Sequence, residues 1–265
     1  MQMTAKTSGE GEPLVLIHGV PGSARIWDGV AERLAPNFRT VLPDLLGFGE
    51  SPGGPDIDGL WADSQARALA ALLDDLGVER AALVGHDFGG PVALALAELR
   101  PELVSHLVLC ATNAFPDTPI PLPISAVTWP IVGGPAARLL FSGPSLGMTL
   151  KQGSAAPGVE LDASAWLGDG RQQATIRTIF STALREIEAR FAPVERQLRT
   201  VECPVLAVWG EEDPFFSVDQ GRRTADAARE GRFVAYDGCG HFVPAEQPER
   251  LAADIAAFVR EPVAA

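Results

Sequence analysis

The sequence predicts an α/β domain: a mostly parallel sheet flanked by helices, with an inserted helical cap. Three observations carry this. Short apolar runs alternate with segments of helical periodicity from Pro13 to Ala111 and again from Pro204 to Arg260, as a parallel sheet with crossover helices requires. Between Asn113 and about Pro193 the strand alternation stops and helical signals take over. The length, 265 residues, is long for one core but ordinary for one α/β domain carrying an insertion. The division is a core of residues 1–112 and 194–265 and a helical cap of residues 113–193.

Each element follows from local pattern. About a dozen residues precede the first strong strand, leaving room for one leading strand near Thr4 to Ser8. Pro13 to His18 (PLVLIH) reads as a buried strand. Ala24 to Leu34 places Ile26, Trp27, Val30 and Leu34 at helical spacing. Phe38 to Leu42 is a short strand leading into the Gly- and Pro-rich loop Pro43 to Pro55. Trp61 to Leu76 is a helix stopped by Gly77, a natural C′ residue. Ala81 to Val84 is a strand, Phe88 to Leu99 a helix closed by Pro101, and Leu107 to Ala111 a strand. In the cap, prolines cluster at 116 to 130, and helical signals follow at Pro135 to Phe141 and Gln172 to Phe191. The sheet pattern resumes with strand Pro204 to Trp209, helix Val218 to Arg229, strand Arg232 to Tyr236 and helix Pro248 to Arg260.

Composition excludes several function classes. The net charge of −13 argues against nucleic acid and anionic membranes as partners. Met1 to Glu12 lacks the apolar core and basic flank of a signal peptide. The longest apolar stretch, Ile120 to Val132, is interrupted by Pro121, Pro123 and Pro130 and is too short to span a bilayer. Cys110, Cys203 and Cys239 fit no metal-ligand spacing, and their odd number argues against a disulfide framework. The expectation is a cytoplasmic protein with no metal and no organic cofactor.

The chemistry concentrates at Gly85-His86-Asp87-Phe88-Gly89-Gly90, directly after the apolar run Ala81 to Val84. Glycines around a central polar residue, between strand and helix, let the backbone turn sharply and leave that side chain exposed. A serine there must lose a proton to attack, whereas Asp87 is ionised at neutral pH. A carboxylate attacking an acyl carbon gives an unstable anhydride; attacking a saturated carbon with a leaving group, it gives an ordinary ester. Asp87 therefore points to displacement at saturated carbon, followed by hydrolysis of an enzyme ester.

Two further loops lie at the carboxyl ends of predicted strands, where open α/β sheets place their sites. Gly210-Glu211-Glu212-Asp213-Pro214 offers Asp213 to hold an imidazole in one tautomer. Gly238-Cys239-Gly240-His241-Phe242 offers His241 to take a proton from water. The amides of Val20, in His18-Gly19-Val20-Pro21-Gly22, and of Phe88 would face the carbonyl oxygen of an Asp87 ester. Such donors are worth about 3 kcal/mol when that oxygen becomes an oxyanion.

These residues resemble the α/β-hydrolase superfamily along nearly the whole chain. The elbow, the His-Gly-x-Pro loop, the Asp44-x-x-Gly47-x-Gly49-x-Ser51 loop and the Gly-x-Gly-His ending all match. The order Asp87, Asp213, His241 is the order of that superfamily's triad. The hairpin that usually opens the fold is here expected to keep one strand. The pairing of His18-Gly19-Val20-Pro21-Gly22-Ser23 with Gly-His-Asp-x-Gly-Gly looks most like the soluble epoxide hydrolases. The Asp-nucleophile haloalkane dehalogenases come second. The chain departs from each pattern. Such epoxide hydrolases protonate the epoxide oxygen with two cap tyrosines, and this chain has one tyrosine, Tyr236, at the end of a core strand. Trp129, Trp166, a cap hydroxyl or a water are the remaining donors. The dehalogenases hold halide with a Trp right after the nucleophile, helped by a cap Trp or an Asn after His-Gly; here Phe88 follows the nucleophile and Val20 follows His-Gly, and only a cap Trp could contribute. Fluoroacetate dehalogenases carry Arg one and five residues after the nucleophile, where this chain has Phe88 and Val92.

The other polar residues have plainer readings. His86 is expected as a packed, hydrogen-bonded residue, His18 as an organiser of the Val20 loop, His106 as a surface residue and Cys239 as a buried inert thiol. Asn113 stands where some relatives place the acid but cannot carry the charge. Among cap aromatics, Phe115, Trp129 and Trp166 are candidate substrate contacts, Phe141 and Phe180 being further members of the group, and packing the lid is the competing reading for each. The low charge of the cap favours a small hydrophobic molecule as substrate. Its apolar surface either closes over a pocket or pairs with a second copy in a homodimer. Four functions stay open: an epoxide hydrolase-like enzyme; a haloalkane dehalogenase; a cofactor-independent lyase, cyclase or oxygenase with His241 as base; and a non-enzymatic ligand-binding relative, against which the intact triad argues.

Overall fold

The computed structural model describes residues 2–53, 57–120, 122, 124–156 and 168–261. Among them seven strands form one sheet: β1 Thr4–Ser8, β2 Glu12–Ile17, β3 Phe38–Asp44, β4 Ala81–His86, β5 Val104–Cys110, β6 Val205–Gly210 and β7 Gly231–Tyr236. Their spatial order is β1-β3-β2-β4-β5-β6-β7. β1 is the single leading strand expected and runs antiparallel to β3; every other pairing is parallel. β4 and β6 are buried along their whole length, as strands covered on both faces must be, and this is why they read as continuous apolar runs.

The helices covering the sheet match the sequence reading to within a few residues. A 3-10 turn, Ala24–Trp27, leads into α1, Asp28–Leu34. The short α2, Ile57–Leu60, precedes α3, Ala62–Asp75, which buries Ala62, Ala66, Leu69 and Leu73 on one stripe. α4, Gly89–Leu99, is buried from Gly89 to Ala97; its Gly and Ala positions let it lie close between the sheet and α3. Between β5 and β6 the described chain is helical: a 3-10 turn Ile124–Thr128, α5 Gly133–Leu140, α6 Gly143–Gly153, α7 Gly170–Arg185 and α8 Ile187–Thr200. The sequence gives no sign of α6, whose Gly and Pro content conceals it. The single helix expected over Gln172 to Phe191 is two, broken at Glu186 (φ −116°, ψ 29°). The boundary drawn at 193/194 falls within α8, at Pro193. α9 Val218–Ala227, the short α10 Val243–Glu246 and α11 Pro248–Val259 complete the order. No described helix is long and apolar enough to cross a membrane.

Gln172 of α7 ties the insertion to the core. Its Oε1 accepts the Gly49 amide at 3.0 Å and its Nε2 donates to the Gly22 carbonyl at 3.2 Å. Arg171 beside it donates to the Ser51 and Gly49 carbonyls. The helical insertion is thereby fixed over the loops that follow β2 and β3, at the carboxyl end of the sheet.

Candidate active site

Asp87 follows β4, the strand between β2 and β5, and sits at φ 50°. A non-glycine residue there is strained, and the surroundings hold it. Its amide donates to the Cys110 carbonyl at 3.1 Å, its carbonyl accepts the Thr112 hydroxyl and the Gly90 amide, and no Cβ would fit at Gly85 or Gly89, which meet each other's turn and the Ile17 carbonyl. Gly19 is bare for a second reason: a Cβ there would collide with the Asp87 side chain, at 2.6 Å from Oδ1.

That close approach brings the Val20 amide to 2.7 Å from Asp87 Oδ1. His18 shapes the loop, as expected. Its Nε2 accepts the Leu45 amide at 3.0 Å, so Nδ1 carries the proton and donates to the Gly19 carbonyl at 2.8 Å. Burial lowers the His18 pKa and keeps the ring neutral in this role.

Asp213 and His241 arrive from the loops after β6 and β7. His241 Nδ1 lies 2.9 Å from Asp213 Oδ2, and Nε2 lies 3.7 Å from Asp87 Oδ2. Asp213 is held by the amides of Phe215 (2.8 Å) and Phe216 (3.0 Å) on its other oxygen, and Trp209 Nε1 anchors Phe216 by its carbonyl. The side chain of Asp213 is 0% exposed, that of His241 5% and that of Asp87 14%, so the outermost group of the row is the carboxylate that would meet a ligand.

Burial and charge oppose each other here. Burial alone drives the His241 pKa down; attraction and the hydrogen bond from Asp213, then the charges of Asp87 and Glu246, outweigh it and raise the pKa above 6.5. Burial raises Asp87 above the usual carboxylate value, while His241 and the Val20 and Phe88 amides act to hold it down. The rings of Phe215, Phe216 and Phe242 stand 5.0, 5.5 and 5.0 Å from the imidazole, each edge-on to it. Trp61 packs on Phe88 at 5.3 Å.

The structure thus brings together Asp87, Asp213, His241, the Val20 amide and the electrostatic contribution of the Phe88 amide. The remaining candidates fall elsewhere. Phe115 is fully buried with the Arg223 guanidinium 3.8 Å over its ring. Trp129 is 52% exposed. Neither shares a described hydrogen bond or ring contact with Asp87, Asp213 or His241. Trp166 lies outside the described residues. Phe141 and Phe180 stack on each other at 4.8 Å, a packing role within the insertion. Asn113 turns its Oδ1 to Phe115 N, Thr118 Oγ1 and Gln220 Nε2, and so braces the start of the insertion. Tyr236 is fully buried and donates to Asp254 at 2.6 Å.

His106 corrects the surface reading. It is 5% exposed, edge-on to Phe258, because α11 folds back over β5. His86 is packed as expected: Nε2 donates to the His241 carbonyl at 3.0 Å, and burial pushes its pKa well down. Burial pushes the Cys239 and Cys110 thiols up, which leaves them unreactive. Sequence reasoning passed over Glu246, Trp61, Phe215 and Phe216, because nothing in linear spacing marks a side chain that reaches the site from another loop. Among the described residues no three His, Cys, Asp or Glu side chains gather as metal ligands would.

A nucleophile-type elbow, an acid-held histidine after the last strand and a backbone donor facing the elbow residue define a class: this chain belongs to the α/β-hydrolase superfamily and is an enzyme of that hydrolase fold. The family model for the alpha/beta hydrolase fold matches residues 12–130. The chain is 30% identical over 280 residues to a 2-hydroxymuconate semialdehyde hydrolase of Pseudomonas sp. (strain CF600), covering 97% of this chain and 90% of that one. It is also 30% identical over 262 residues to a soluble epoxide hydrolase of Corynebacterium sp. (strain C12), covering 92% and 88%. A thermophilic esterase structure from Thermogutta terrifontis superposes with a TM-score of 0.78 at 26% identity, covering 97% of this chain and 93% of that one. The names differ in substrate at similar identity, so the subclass must come from the site.

Proposed function

We propose that this enzyme uses Asp87 to displace a leaving group at saturated carbon, and that it opens a hydrophobic epoxide. The observation that carries this reading is the division of labour in the Asp87 carboxylate. Oδ1 accepts the Val20 amide at 2.7 Å, while Oδ2 lies on the side of His241, 3.7 Å from its Nε2.

Asp87 Oδ2 attacks an epoxide carbon; the carbon–oxygen bond breaks, and its electron pair stays on the oxygen, which takes a proton from water. The product of this half is a hydroxyalkyl ester of Asp87. His241 Nε2 then removes a proton from a second water, and the hydroxide attacks Asp87 Cγ. The negative charge that develops on Oδ1 is stabilised by the Val20 and Phe88 amides. Collapse expels the diol alkoxide, which is protonated by the His241 imidazolium that Asp213 has stabilised, and the Asp87 carboxylic acid left behind gives its proton to solvent, where it neutralises the hydroxide released in the first half. Tyr236 is occupied by Asp254 and supplies no proton. The aromatic edges around His241 favour an apolar substrate. Phe88 and Val20 offer no side-chain donor to a halide, which favours the epoxide over the haloalkane.

The test is the intact mass of His241→Gln after incubation with styrene oxide, 1,2-epoxyhexane and 1-bromohexane. The expected result is an adduct of one whole epoxide on the Asp87 peptide. An adduct from the bromide alone would make the enzyme a dehalogenase. Turnover by the wild type with no adduct in the variant would leave His241 acting alone as a base.

A further inference from the structure

We infer that Glu246 is a positioning residue for His241, and that its one carboxylate joins the histidine loop to the helical insertion. Glu246 closes the short α10 and is 8% exposed. Oε1 accepts the Phe242 amide at 3.0 Å. Oε2 accepts three amides, those of Gly240, Ala155 and Ala156, each at 2.9 Å. The two core donors flank His241 on either side in the chain. The other two belong to the segment that leaves α6. The amide of His241 itself donates to the Gly153 carbonyl at 2.7 Å. His241 is therefore suspended between an insertion carbonyl and a carboxylate that also grips the insertion.

Gly240 makes the approach possible. A Cβ there would collide with the Gly153 carbonyl and lie 3.2 Å from Glu246 Oε1. Four amides converging on one buried group concentrate positive dipole in one place, and only a negative charge balances it. The carboxylate charge also adds to the attraction that His241 feels when protonated. The backbone at 240–242 sets where the imidazole stands, and the imidazole must hold Asp213 on one nitrogen while presenting the other to water beside Asp87. Glu246 holds that backbone through Gly240 and Phe242 and, with the same carboxylate, the segment that leaves α6 through Ala155 and Ala156.

This role rests on His241 being the base for ester hydrolysis, and the experiment separates the two ideas. Glu246→Gln has one oxygen where the carboxylate has two. Its amide nitrogen meets either the Phe242 N–H or the three N–H groups at Oε2, donor against donor. Wild type, His241→Gln and Glu246→Gln are mixed rapidly with styrene oxide and followed by intact mass. In Glu246→Gln, ester formation is expected to stay within about twofold of wild type, because Asp87 attacks without help. Ester hydrolysis is expected to slow by up to about 100-fold, because a displaced base loses its alignment with water. A loss of fold alone would depress both steps together. Without substrate, the downfield proton resonance of the His241–Asp213 hydrogen bond is expected to shift or broaden in Glu246→Gln. An ester hydrolysed at the wild-type rate, with that resonance unmoved, overturns the inference. If His241→Gln forms no ester, the hydrolase reading fails, and the resonance alone decides the role of Glu246. If Glu246→Gln does not fold, Glu246→Asp replaces it: the shorter carboxylate keeps its charge but cannot span both segments. Slower ester hydrolysis in it supports the inference, and an unchanged rate overturns it.

Discussion

The Val20 amide donates a 2.7 Å hydrogen bond to Oδ1 of Asp87, and this contact distinguishes two chemically equal oxygens. The oxygen it holds stays as the ester carbonyl and receives charge in the second step. In water enriched in oxygen-18, a single turnover with excess enzyme should place the label in the Asp87 carboxylate and leave the diol unlabelled. Mass analysis of the Asp87 peptide and of the diol checks this; label in the diol after one turnover would mean direct attack of water on the substrate.

His241 has a pKa raised above 6.5, chiefly because Asp213 overcomes the effect of burial. A base must be neutral to act, so ester hydrolysis should fall as pH drops through the His241 pKa of the ester-bearing enzyme, which Asp213 still holds up. Asp213→Asn removes the attraction, and the falling limb should move to lower pH while the maximal rate drops, by up to about 10⁴-fold on the precedent of other triads. Pre-steady-state rates against pH test both. The stability term has the complementary sign. It is fully present below the unfolded value and is lost as pH rises through the raised folded value, so unfolding midpoints of wild type and Asp213→Asn should converge at alkaline pH.

Gly19→Ala inserts a methyl against the Asp87 side chain, where backbone on both sides is fixed. Overpacking of this kind costs about 1–3 kcal/mol, and the collision moves the Val20 amide as well. The expected outcome is a lower unfolding midpoint together with a slower hydrolysis step, measured by thermal unfolding and single-turnover kinetics on the same preparation.

Gln172→Ala deletes the hydrogen bonds to Gly22 and Gly49 that pin α7 over the core loops. Leaving those backbone groups unpaired should cost about 1–3 kcal/mol. Urea unfolding monitored by circular dichroism gives the magnitude. Hydrogen exchange should show faster exchange at Gly49, whose amide loses its acceptor.

The sheet and the row of chemistry-bearing groups were legible because each depends on local pattern. Runs such as Ala81 to Val84 and Val205 to Trp209 are apolar without interruption, and that is the mark of a strand buried on both faces. Asp87 and Asp213 each stand in a short motif directly after such a strand, and His241 in one that follows the half-buried β7. The insertion was less legible. α6 contains Gly143, Pro144, Gly147 and Gly153, and its helix is stabilised by contacts that propensity does not encode. His106 was misread because its burial is due to α11, some 150 residues further along. Glu246 was invisible for the same reason: its partners at 155 and 156 are brought to it by the fold alone. Phe115 stood in the right stretch of chain, but the Arg223 guanidinium covers it.

The 3.7 Å gap between His241 Nε2 and Asp87 Oδ2 also bears on timing. In the resting enzyme the Asp87 charge is one of the influences that favour a proton on His241. Conversion of Asp87 to an ester erases that charge, and the imidazole relinquishes a proton more readily at the moment a base is wanted. The catalyst is thereby self-sequencing: completing the first bond removes one of the charges that hold a proton on the base the second step needs.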